Sequence, residues 1–207
     1  MRQVLDARDS ASRSPSTRIA RVVTEVFAPT LLAAVMPFVV ALRTSAPAVG
    51  PGLGWALVGA LFCSVIPNSL IWWGVRRGRL SDHHIRVREQ RRTPLVYGLV
   101  SVLVGLALLV GFRAPRPVIA MVVVMFALGL AVTLVNLVWK LSIHAAVAAG
   151  SAAVLVIVFG PALLLAAAGV VLVAWSRVEL GEHTVGQVIA GTAVGLVVTV
   201  PTFLLIG

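Results

Sequence analysis

The stretch Ser176-Arg177-Val178-Glu179-Leu180-Gly181-Glu182-His183-Thr184-Val185-Gly186-Gln187 puts a guanidinium, an imidazole and an amide within twelve residues. His183 and Gln187 are four apart where the last apolar run begins, so on a helix they share a face and the amide can hydrogen-bond the ring. An imidazole oriented in this way is a nucleophile or a base. Arg177, six residues upstream, can swing onto the same phosphate-sized anion in the bidentate manner that favours Arg over Lys. A second group, Lys140-Leu141-Ser142-Ile143-His144, offers a cation, a hydroxyl and another imidazole at another expected helix start. Backbone N–H groups there also attract anions.

All four histidines, His83, His84, His144 and His183, fall in short polar breaks between apolar runs, as do Asp82, Glu89, Glu179 and Glu182. Adjacent side chains on a helix diverge, so His83 and His84 are not expected to hold one metal ion. The Arg76, Arg77 and Arg79 cluster reads as ordinary solvated loop charge. Asn68 and Asn136, inside apolar runs, are expected to hydrogen-bond neighbouring helices rather than a ligand.

The elements that must position these groups are membrane helices. The chain has 207 residues, 59% hydrophobic and 12% charged, with a mean hydropathy of +1.04. A soluble domain would carry about a quarter charged residues. The formal charge of +10 comes from residues in the breaks, not along one soluble face, which excludes a nucleic-acid binder. The lone Cys63 excludes an intramolecular disulfide. Residues 1–25 read as a mobile basic tail that lacks the apolar stretch of a cleavable signal. With about 20 apolar residues needed per crossing, spans are expected near 26–42, 55–75, 94–112, 117–139, 142–159, 161–176 and 184–206. The run from Ala145 to Trp175 is too long for one span, and Gly160-Pro161 divides it. The fold expected is therefore an all-α transmembrane bundle of six to seven spans, filling residues 26–207.

All five Trp fall at expected span ends, where an amphipathic ring sits among headgroups. Seven crossings put 14 of the 17 basic residues on the side that holds the tail and residues 76–93, 140–144 and 176–183. The positive-inside rule makes that side cytoplasmic. Gly191 and Gly195 form a GxxxG on the last span, expected to serve close packing within the chain or a homo-oligomer.

Taken together, these segments resemble the type 2 phosphatidic acid phosphatase superfamily. Ser176-Arg177, five residues, then His183 is similar to the family's third motif, SR-x5-H-x3-D, up to its last position, where Gln187 stands for Asp. Ser142-Ile143-His144 resembles the second motif, PSGH, with Leu141 and Ile143 in place of Pro and Gly. Arg86-Val87-Arg88-Glu89-Gln90-Arg91-Arg92-Thr93-Pro94 echoes the first, K-x6-RP, with Arg86 and Arg92 the nearest fit. The resemblance covers residues 82–206. It implies that His183 attacks the substrate phosphorus, that His144 protonates the leaving oxygen and then activates water, and that Arg86, Arg92, Ser142 and Arg177 hold the phosphoryl oxygens. Positive donors fixed around the equatorial oxygens supply most of what phosphoryl transfer requires. No cofactor or metal is called for in that scheme, and no expected span carries Asp or Glu. An amide at Gln187 orients the ring but adds no charge, with Glu182 or Glu179 as candidate replacements.

The expectation is a bacterial plasma-membrane enzyme, without a metal, that dephosphorylates a phosphatidate-like or polyprenyl (di)phosphate lipid, its site facing the cytoplasm. Rival expectations are an inactive relative that binds anionic lipids and a transporter of phosphorylated lipid. A prenyltransferase-like protein would need paired acidic motifs for Mg²⁺, and the chain has no second one.

Overall fold

A computed structural model describes residues 14–47, 49–78 and 92–207 of the chain. These are helical throughout, without a strand among the described residues. Ser14 caps the first helix, α1 (Pro15–Val26), its Oγ accepting from Thr17 N at 3.2 Å, with Pro15 preset for the first turn. Ala28 is extended because Pro29 follows it, and the chain bends by 45° before α2 (Pro29–Ser45). This corrects the expected mobile tail: from residue 15 onward the segment is folded, with Ala20 and Thr24 buried. Its arginines broke up the apolar signal that marks a span, while its cap and amphipathic pattern were the readable evidence for a helix. The first apolar span accordingly begins at Pro29 rather than residue 26.

A hairpin leads into α3 (Val49–Arg76), whose turn Leu61–Val65 is widened to π geometry. Two hydroxyls clamp that turn: Ser101 donates to the Phe62 carbonyl at 2.8 Å and Ser64 to the Thr30 carbonyl at 2.6 Å. A π turn leaves carbonyls in need of a partner, which Ser101 supplies to Phe62, whereas the Ser64 bond ties the turn to α2. Then come α4 (Arg92–Gly111), α5 (Arg116–Val138) and α6 (Ile143–Phe159). Gly160, at φ +92°, ends α6 in a conformation that favours glycine. Pro161–Leu165 forms a 3₁₀ turn into α7 (Ala166–Glu179), and α8 (Val185–Ile206) completes the described chain. The break expected at Gly160-Pro161 is present.

Five helices are long and apolar enough to cross a membrane, and the bent α1–α2 pair brings the number to six. At 17 residues, α6 is about 26 Å long, close to the ~30 Å hydrocarbon thickness. The protein is an integral membrane helical bundle. Its core centres on Met36, Met121, Val124, Val154 and Phe203, contributed by α2, α5, α6 and α8.

From α2 onward successive helices alternate in direction, and their ends sort into two groups. At one end Arg43 and Thr44 meet Pro115, Val158 and Gly207 around a shared surface pocket. The starts of α6 and α8 and the end of α7 lie together at the other, where Trp72, Trp73, Trp139 and Trp175 are also exposed near helix termini. α6 and α8 run parallel in close contact. A Cβ on Gly191 would meet the Ser142 carbonyl oxygen at 2.5 Å, a Cβ on Gly195 would strike the Ala146 carbonyl, and a Cβ on Gly150 would meet Thr199 Oγ1 at 2.6 Å. The GxxxG stripe therefore makes its close contact within the chain, against α6.

Candidate functional site

The parallel packing of α6 and α8 has a direct consequence: both helix starts lie at the same end of the bundle. They are joined where Ser142 N donates to the Gln187 carbonyl at 3.3 Å. Ser142 is fully buried and caps α6, its Oγ accepting from Ala145 N at 3.4 Å. That hydroxyl is thus engaged with the helix backbone. His144 is buried in the first turn of α6.

At the start of α8, Thr184 and Gln187 form a reciprocal cap: Thr184 Oγ1 accepts from Gln187 N at 3.3 Å, and Gln187 Oε1 accepts from Thr184 N at 3.2 Å. The same Oε1 lies 3.2 Å from His183 Nδ1. An amide oxygen only accepts, so the imidazole donates from Nδ1, and Nε2 becomes the ring nitrogen that carries the lone pair. Gln187 fixes the tautomer of His183 and the start of α8 with one atom. His183 is itself buried.

Arg177 sits in the last turn of α7 and is the one buried arginine or lysine among the described side chains, 3% exposed. Its guanidinium is ion-paired through Nη2 to Glu182 Oε2 and donates through Nη1 to Thr24 Oγ1 at 3.4 Å. Thr24 Oγ1 is also 3.2 Å from Ser176 Oγ, which donates to the Val173 carbonyl at 2.8 Å. The loop after α7 folds back onto the arginine, because Glu182 N and His183 N both donate to its carbonyl at 3.1 Å. Gly181, at φ +65°, allows the turn. Lys140 Nζ closes the cluster from the α6 side by donating to the Glu182 carbonyl at 2.7 Å.

Of the residues singled out in the sequence, Ser142, His144, Arg177, His183 and Gln187 are thus gathered at one end of the bundle. Arg92 is the first residue of α4, and Arg86 lies outside the described residues, as do Asp82, His83, His84 and Glu89. Glu182 directs its carboxylate to Arg177. Asn136 is buried and donates to the Val132 carbonyl of its own helix at 2.9 Å. Thr24 is the contact that the sequence did not reveal, since 153 residues separate it from Arg177. No group of three or more His, Cys, Asp or Glu fit to hold a metal occurs among the described residues.

A cavity of about 190 Å³ lies between α2, α3, α4, α5 and α6, lined by residues such as Cys63, Pro67, Pro94, Leu99 and Ile143. Ile143 is the residue between Ser142 and His144, and Pro94 is two residues beyond Arg92. Among the described residues the cavity wall carries no charged side chain.

Comparison of the chain with protein-family models, curated proteins and solved structures returns no match.

Proposed function

We infer that the protein is a membrane phosphatase of lipid phosphates or diphosphates, related in mechanism to the type 2 phosphatidic acid phosphatases. The observation that carries this reading is the junction of α6 and α8, which brings two imidazole-bearing helix starts and the Arg177 loop to one membrane face. In this mechanism His183 Nε2 attacks phosphorus, a P–N bond forms, and the P–O bond to the lipid breaks. His144 delivers a proton to the leaving oxygen, then takes one from the water that releases phosphate from His183. Arg177, Arg92, Arg86 and backbone N–H groups bear the negative charge of the equatorial oxygens. The apolar cavity supports a lipid substrate over a soluble one, since a hydrocarbon segment can occupy it.

The basic end of the bundle is assigned to the cytoplasm of a bacterial plasma membrane by the positive-inside rule. A reporter fused after Gly207 then reads out on the far side of the membrane, and a cytoplasmic readout contradicts the assignment.

Purified protein with EDTA tests the activity. Release of phosphate from phosphatidate or polyprenyl phosphate, lost in His183→Ala, is the expected result. Silence toward the whole panel favours a second reading, an anionic-lipid binding protein. That reading draws support from Gln187, which brings no charge to the imidazole, and from the carboxylate already seated on Arg177.

A further inference from the structure

A guanidinium withdrawn from water at a lipid boundary requires an anion, since an uncompensated buried charge is strongly destabilising. Arg177 has one within its own loop. The Glu182 carboxylate meets Nη2, while the Glu182 backbone is held on both sides, its N–H by the Arg177 carbonyl and its carbonyl by Lys140 Nζ. The side chain is nevertheless 16% exposed against 4% for that of Arg177, so the pair is open on the carboxylate side. On the other side Thr24 Oγ1 accepts from Nη1 without bringing a charge. One nitrogen of the guanidinium is held by a neutral group that can stay in place, the other by an anion of the type a phosphate would replace.

We propose that Glu182 is the resting occupant of the phosphate seat, so that an incoming phosphate binds to Arg177 by exchange with the Glu182 carboxylate rather than by addition. This rests on the reading of Arg177 as a phosphate ligand. Carboxylate and phosphate oxygens present matching pairs of acceptors to a guanidinium, which makes the exchange geometrically direct. Its cost falls on ligand affinity, because each phosphate that binds forfeits the resting ion pair. Glu182 thereby acts as a selector: an anion that makes no further contacts at the site gains nothing over the carboxylate already present. Thr24 positions the guanidinium in both states.

The test is binding of inorganic phosphate to the full-length protein in detergent micelles, followed by calorimetry. Glu182→Gln keeps the size of the side chain and removes the competing charge, so phosphate should bind about tenfold tighter, the equivalent of one modest ion pair. Adding Arg177→Gln to that variant should abolish the gain. Unchanged or weaker phosphate binding by a Glu182→Gln protein with the wild-type melting midpoint overturns the proposal. If that variant does not fold, Glu182→Asp, which keeps the charge but shortens its reach, should still tighten binding, and no gain there overturns the proposal too. Tighter binding without any lipid hydrolysis by the wild type leaves the exchange standing and removes the phosphatase reading. Hydrolysis with unaltered phosphate affinity does the reverse.

Discussion

Both ends of the bundle carry exposed arginines, yet among the described residues one end also holds a buried one. At the far end Arg43, Arg113 and Arg116 are exposed, and Arg43 lies over the Phe159 ring at 5.9 Å, a contact available to any cation near an aromatic face. Arg76 and Arg77 at the basic end behave similarly, Arg77 resting on Trp73 at 4.5 Å. Among the described side chains Arg177 is the one arginine that is buried, paired to a carboxylate and bonded to a hydroxyl from another helix. Charge count marks sidedness, whereas burial with named partners marks a site. The contrast also shows what the neighbouring segments contribute: α1 brings Thr24 to α7's last turn, and the segment before α6 brings Lys140 to the loop that follows it.

This contrast can be broken most severely at Arg177. Removing one member of a buried ion pair strands the other, so Arg177→Ala should cost about 3–5 kcal/mol of stability. Arg43→Ala should stay within about 0.5 kcal/mol, as exposed substitutions do. Unfolding both variants in the same detergent checks the difference, and equal losses would erase the distinction between the two ends. Next comes the α6–α8 seam. Gly195→Ala drives a methyl into the Ala146 carbonyl and against Ala149 Cβ, so an overpacking cost of about 1–3 kcal/mol is expected. Gly54→Ala, with open space around it, is the matched control and should be neutral or slightly stabilising. The smallest effect is at Lys140. Lys140→Met forfeits one hydrogen bond to the Glu182 carbonyl and should cost about 1 kcal/mol, visible as faster hydrogen exchange across residues 180–184.

Composition and the spacing of apolar runs were enough to read most of the fold. The spans at 94–112, 117–139, 142–159 and 184–206 correspond to α4, α5, α6 and α8, and the Gly160-Pro161 break separates α6 from α7. Lipid forces backbone groups to pair within each segment, so hydropathy reports helices directly. The same logic fails for α1, where polar and apolar residues share a helix and a hydropathy window averages them away. Within the site, the His183–Gln187 pair was legible from its spacing of four, although His183 stands just before the Thr184 cap and not on the helix, and it is the cap that holds Gln187 Oε1 at the ring. The partners of Arg177 were not: Thr24 belongs to another helix, and the return of Glu182 onto Arg177 depends on a loop closing at Gly181 rather than on any periodic pattern.

The covalent step decides the matter most directly. Protein mixed with a ³²P-labelled lipid phosphate and quenched in alkali should carry label on His183 alone, and His183→Ala should carry none. Absence of label from His183, or label on another residue, would contradict a nucleophilic imidazole at the start of α8.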